Sequence, residues 1–146
     1  MKILLLLSVC FPLIASAQKL SSSEINRCTK QAASVTIYRD NYGVPHIYGK
    51  SDADAVFGLI YAQCEDDFKR VELNYIEKLG RLAEVNGETS LYSDLYIRLL
   101  IDSSDAIADY KKAPLWLKKL LVAYADGINY YLYKNPSVQP ALITHF

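Results

Sequence analysis

The sequence holds 146 residues, 51% of them apolar, with 16 basic groups against 16 acidic ones and a formal net charge of zero. A chain of that size is one ordinary domain at most, and its neutral balance lacks the electrostatic footprint of a nucleic-acid binder. Glycine and proline are few, at 6 and 5, while aromatics reach 12%, so the composition favours an ordered core over disorder.

The chain opens on Met1-Lys2, an apolar run over residues 3–14, and the small-residue end Ala15-Ser16-Ala17. One positive charge, a short apolar run and a small-x-small end predict a signal peptide over 1–17, cut between Ala17 and Gln18. The run falls short of the roughly 20 residues that a spanning helix needs. The expectation is therefore a secreted or periplasmic protein with no membrane attachment once the signal is removed. Cys28 and Cys64 remain after the cut. An oxidising compartment permits a disulfide between them, which would contribute about 3–4 kcal/mol if unstrained. Two unpaired thiols, with Cys64 packed as a small apolar residue, satisfy the same sequence.

Residues 18–34 carry Ser21-Ser22-Ser23 and no apolar period, and read as a flexible leader. Val35 to Arg39 alternates β-branched and aromatic residues, Asp40-Asn41-Tyr42-Gly43 has turn chemistry, and Val44-Pro45-His46-Ile47-Tyr48 resumes strand composition. That pattern predicts a hairpin over 35–48, with Pro45 at a strand start or with its missing N–H facing away from the partner. From residue 52 the period changes to that of a helix. Ser51 is placed to cap it and Asp54 to act as the acidic half of a capping box. Val56, Ile60, Cys64, Phe68, Val71, Tyr75, Leu79 and Leu82 then draw one apolar stripe as far as Val85. Gly58 and Gly80 interrupt it, so a break or bend is expected, with Gly87 as the stop. Further helices are predicted over 91–101 and 105–111. The last runs from Pro114 to Asn135-Pro136 on the stripe Leu117, Leu120, Leu121, Tyr124, Ile128, Tyr131 and Leu132. Residues 138–146 carry no terminus signal, and read as a chain cut short.

No phosphate loop, Cys-x-x-Cys pair, His-Glu-x-x-His helix or nucleophile elbow occurs. Glu65-Asp66-Asp67 is the one dense acidic cluster; three consecutive helical positions fan out too widely to face one ion, which favours a solvated face. His46 has no visible orienting or nucleophilic partner, which favours a structural histidine over a base. Tyr124, Tyr130, Tyr131 and Tyr133 favour packing over ligand stacking.

The words Arg39-Asp40, Tyr42-Gly43-Val44-Pro45-His46-Ile47, Asp54, Phe57-Gly58 and Tyr61-Ala62-Gln63 recur in a recognisable order. Asp66 with Arg70, Gly80-Arg81-Leu82-Ala83-Glu84 with Gly87, Asp94 with Arg98, and Tyr124-Ala125-Asp126-Gly127-Ile128-Asn129 continue it. Over about 35–135 this resembles the amino-terminal region of the penicillin acylase family, which includes penicillin, cephalosporin, aculeacin and acyl-homoserine-lactone acylases. Ile60 stands where relatives often have Gly, and Cys64 where they often have Ala. The resemblance implies an α+β chain, a hairpin followed by helices (52 to 135), within a four-layer αββα N-terminal-nucleophile hydrolase fold that this chain does not complete; 35–146 would be part of the α subunit. It implies a secreted precursor that cuts itself, exposing a Ser, Thr or Cys whose own α-amino group takes its proton, and that hydrolyses N-acyl amides of β-lactam, acyl-homoserine lactone or lipopeptide type. The implied partners are the large β subunit of the same precursor and a small N-acyl amide. Calcium is implied for the full-length protein and no cofactor for this chain. The family's first-subunit pocket residues and calcium carboxylate would follow Phe146, so no catalytic, substrate-binding or metal residue is carried onto this chain. The alternative is a non-catalytic helical interaction module built on the same frame.

Overall fold

The computed structural model describes residues 20–146; the predicted signal peptide and the Ala17/Gln18 cut lie outside them. The chain runs α1 (Ser22–Ala32), β1 (Val35–Arg39), β2 (Pro45–Gly49), α2 (Asp52–Lys78), α3 (Ala83–Asn86), one 3-10 turn (Glu88–Ser90), α4 (Leu91–Leu100), α5 (Ser103–Lys112) and α6 (Leu115–Lys134). The fold is α+β: a two-stranded antiparallel hairpin laid on a frame of helices.

The supposed leader is where sequence and structure part first. Residues 22–32 are helical because Ser21 and Glu24 form a reciprocal capping box, the Ser21 amide donating to Glu24 Oε2 at 2.8 Å and the Glu24 amide to Ser21 Oγ at 3.3 Å. Docking then fixes the helix. Cys28 is fully buried against Phe57 and Ala123.

The hairpin turns at Gly43, whose φ of +80° suits glycine, and the Asp40 carboxylate accepts the amides of Tyr42 and Val44 at 2.9 and 3.0 Å. Pro45 starts β2 opposite Arg39, and Ile37 pairs with Ile47 on the face that meets α2. That face explains Gly58. A Cβ there would come within 2.5 Å of Val35 Cγ1 and 2.7 Å of Ile47 Cγ2, so Gly58 lets the hairpin lie close on the first half of α2, which runs through this glycine without a break.

The break in α2 comes instead at Asp67, at φ −160° and ψ 77°. Its carboxylate accepts the Arg70 amide at 3.1 Å and so caps a second helical half in mid-element. Ser51 caps the first half, accepting the Asp54 amide at 3.3 Å, while Asp54 bonds the Ser51 hydroxyl at 2.8 Å rather than completing a box. The helix ends at Lys78, well short of the predicted Gly87, because Gly80 takes φ +63° and turns the chain. Gly87 terminates the short α3.

The core lies between α2 and α6. Ile60, Cys64, Phe68, Val71, Ile128 and Tyr131 form one cluster, closed by Val138 and Phe146 from the segment that follows α6. On α6 the predicted stripe holds at Ile128 and Tyr131, but Leu121 and Tyr124 are exposed, and Asp126, Gly127 and Asn129 are buried in their place. The two helices meet at Gly127, where a Cβ would fall on Ile60 Cγ2 and within 2.8 Å of the Phe57 carbonyl.

Candidate functional site

Four polar joints hold the elements together, the first two built largely from residues that the sequence singles out. At the hairpin, Arg39 reaches from β1 to α2, its guanidinium meeting Asp66 at 2.9 Å and Glu65 at 3.2 Å while donating to the Gly43 carbonyl at 3.0 Å. Asp66 and Glu65 hold that guanidinium more firmly protonated than usual. The acidic cluster is thus divided: two carboxylates anchor the hairpin and the third, Asp67, caps the break. His46 does have a partner, the Asp40 carboxylate at 3.3 Å, and its ring lies 6.2 Å from that of Tyr38 on the open face. Burial works against the Asp40 charge, but the Val44 and Tyr42 amides and His46 outweigh it and hold the carboxyl below its ordinary range.

At the end of α2, the Gly80 turn is clamped from α4. Asp94, buried, accepts the amides of Leu82 and Ala83 at 2.8 and 2.7 Å, and Arg98 donates through Nε to the Gly80 carbonyl at 2.8 Å. Arg81 forks onto Glu84 at 2.6 and 2.7 Å.

The third joint fixes α1 to α6. Arg27 grips Asp126 through two bonds of 2.8 and 2.7 Å, with the carboxylate only 6% exposed. The hydrogen bond to Asp126 raises the Arg27 pKa well above its ordinary value.

The fourth joint receives residues 138–146. Glu72, buried on α2, accepts the amides of Ala141, Leu142 and Ile143, while Asn129 on α6 bonds both the amide and the carbonyl of Phe146 at 2.8 Å. The Phe146 ring stands edge-on to Tyr75 at 4.9 Å.

These groups are turned on one another or on the main chain. An apolar cavity of about 390 Å³ between α1, α6 and residues 138–146 is lined by Leu20, Ile25, Leu132 and Tyr133; the Asn129 amide there is already committed to Phe146. Among the described residues no group of three His, Cys, Asp or Glu side chains converges as a metal site. Cys28 and Cys64 are free, buried thiols in separate core clusters rather than a disulfide. Burial lifts the Cys28 thiol to about 11 and the Cys64 thiol to about 12, which makes both poor nucleophiles. The residues that reading the sequence missed, Arg27, Glu72 and the buried role of Asn129, gave no local pattern; each is explained by a partner far along the chain.

Residues 34–144 match the family model for penicillin amidase. The chain belongs to that family. An acyl-homoserine lactone acylase QuiP of Pseudomonas fluorescens (strain Pf0-1) is 33% identical over 109 residues, covering 75% of this chain and 13% of the relative. The penicillin acylase 2 proenzyme of Pseudomonas sp. (strain SE83) is 32% identical over 101 residues, covering 69% and 13%. Among solved structures, a thermostable penicillin G acylase from Alcaligenes faecalis superposes with a TM-score of 0.65 at 25% identity, over 71% of this chain and 55% of that one. The chain thus spans about an eighth of the length of the curated relatives it matches. Within the penicillin amidase family match, the joints give the words a physical meaning. Arg39 with Asp66, Gly80 with Asp94 and Arg98, and Asp126-Gly127-Ile128-Asn129 are places where elements lock together. Ile60 and Cys64 both lie in the α2–α6 core, where a Cβ at Gly127 would meet Ile60.

Proposed function

We propose that this chain is the amino-terminal part of a secreted penicillin-acylase-family amidohydrolase that matures by self-cleavage and removes acyl groups from N-acyl amides. In this reading residues 20–146 supply frame rather than chemistry. The reactive hydroxyl or thiol, its α-amino base and the oxyanion hole belong to a later section of the same precursor, and any calcium site lies there too. The observation that carries it is the apolar face of α4. Tyr92, Leu95, Tyr96 and Leu99 follow one helical stripe and all face outward, and the second face of the hairpin, with Tyr38 and Tyr48, is also uncovered. Faces of this kind suit burial beneath further chain. Relatives active on acyl-homoserine lactones and on penicillins support an amide substrate without selecting the acyl group or the amine.

The test is to express the reading frame together with its downstream sequence, and to assay the secreted, processed protein against N-acyl-homoserine lactones, acylated β-lactams and acylated peptides. Amine release from at least one class is expected, with none from residues 18–146 alone, and Edman sequencing should begin at Gln18. No release from any class counts against the acylase reading.

A second reading, a non-catalytic helical module, draws on a different observation: among the described residues no buried side-chain nitrogen or oxygen is left without a partner. It predicts that residues 18–146 form a monodisperse, cooperatively unfolding body, whereas the first predicts that they self-associate.

A further inference from the structure

Glu72 is a buried carboxylate, 2% exposed, and among the described residues no cation pairs with it. Three consecutive amides face it instead: Ala141 donates to Oε2 at 2.8 Å, and Leu142 and Ile143 donate to Oε1 at 2.8 and 3.0 Å. Successive N–H groups turned to one point form a concave anion site, and a charged acceptor makes each such bond shorter and stronger than a neutral one would. Both oxygens are filled by main chain alone, so the contact does not depend on which side chains residues 141–143 carry. From α6, Asn129 treats Phe146 the same way, donating to its carbonyl and accepting its amide. The Phe146 ring then enters the aromatic slot of Phe68 and Tyr75. The segment therefore touches α2 and α6 at once, and it crosses the core cluster with Val138 and Phe146.

We propose that the amides of residues 141–143 form a carboxylate-receiving nest whose resident is Glu72, and that Glu72 is the positioning residue that clasps residues 138–146 across the α2–α6 pair. The ligand class of the nest is a carboxylate. Gln at position 72 would turn an N–H toward N–H donors, and Asp would fall one methylene short. Truncation at Cβ would leave room for a free carboxylate the size of the missing group, which is acetate. The proposal concerns the fold of this chain and stands whether or not the acylase reading does.

The experiment follows amide exchange in the wild-type chain and in Glu72→Ala. In the wild type, Ala141, Leu142 and Ile143 should exchange more slowly than Gln139 and Thr144, whose amides carry no bond among the described residues. E72A should speed exchange at the three amides by about tenfold or more. Excess acetate should restore the protection, and potassium chloride at equal ionic strength should not. Equal wild-type exchange at all five amides, protection that survives E72A, or rescue by chloride as good as by acetate would overturn the nest. Lost protection that acetate does not restore would also overturn it, reducing Glu72 to a packing residue. Should E72A not fold, the wild-type comparison and Asn129→Ala decide. N129A should free Phe146 while leaving the three amides protected, and a uniform loss over 138–146 would argue against a clasp centred on Glu72.

Discussion

At the residue scale the thiols make a measurable claim about pH. Burial raises both, and the charges of Glu65 beside Cys64 and Asp126 beside Cys28 add to it, giving about 12 and about 11 against an ordinary value of 9.0. A folded pKa above the unfolded one means that the native state keeps its proton longer. The stabilising contribution is whole below pH 9 and is lost as pH rises toward 11 and 12, by up to about 1.4 kcal/mol per pH unit for each thiol. Tyr61, Tyr124 and Tyr131, raised chiefly by burial, act in the same direction. The urea midpoint should therefore fall steadily above pH 9, and Cys28→Ala with Cys64→Ala should flatten that fall. An unchanged slope in the double variant would contradict the buried-thiol picture. Native protein at pH 8 should also alkylate far more slowly than unfolded protein. Buried polar residues were the least legible part of the sequence. Glu72 serves amides 69 to 71 positions away and Arg27 serves a carboxylate 99 positions away, so no local window contains the reason for their burial.

At the scale of elements, α6 approaches α2 closely at Gly127. A methyl group there meets Ile60 and the Phe57 carbonyl, one of them backbone that cannot step aside. Gly127→Ala should cost about 1–3 kcal/mol or more by overpacking, read as a lower denaturation midpoint. Gly87→Ala offers the contrast: nothing lies within 4 Å, so only its backbone, at φ +77° and ψ −165°, opposes a side chain, at about 1–3 kcal/mol. A double-mutant cycle separates the two causes: Ile60→Ala should offset part of the Gly127→Ala loss, the Phe57 carbonyl keeping the remainder, and should show no coupling with Gly87→Ala. Turn chemistry and caps made the hairpin, the start of α2 and the span of α6 legible in advance. Helix α1 escaped because its apolar residues are sparse and its one local sign, Ser21-x-x-Glu24, sits among serines that read as leader. Of the two glycines expected to interrupt α2, Gly80 does turn the chain and end the helix, whereas Gly58 serves the hairpin above it, and the bend within the helix comes from Asp67 capping its own helix from inside.

For the whole molecule, the outward stripe of α4 governs behaviour in solution. Tyr92 and Leu99 are 84% and 83% exposed, and Leu95 and Tyr96 lie between them. Residues 20–146 on their own should bind a hydrophobic dye and self-associate, and Leu95→Ser with Leu99→Ser should return light scattering to the monomer mass. In the longer acylase proposed above, the same pair should lower the yield of processed protein. If the pair leaves both association and processing unchanged, α4 is an ordinary solvent face. The interruption at Asp67 has a consequence at this scale too. A continuous helix transmits any insertion or deletion as a rotation of about 100° per residue along its whole length. With the helix interrupted at Asp67, a length change on the hairpin side need not be passed on as a rotation to Glu72 and Ile76, although Ile60 and Cys64 before the break and Phe68 and Val71 after it share one core with α6.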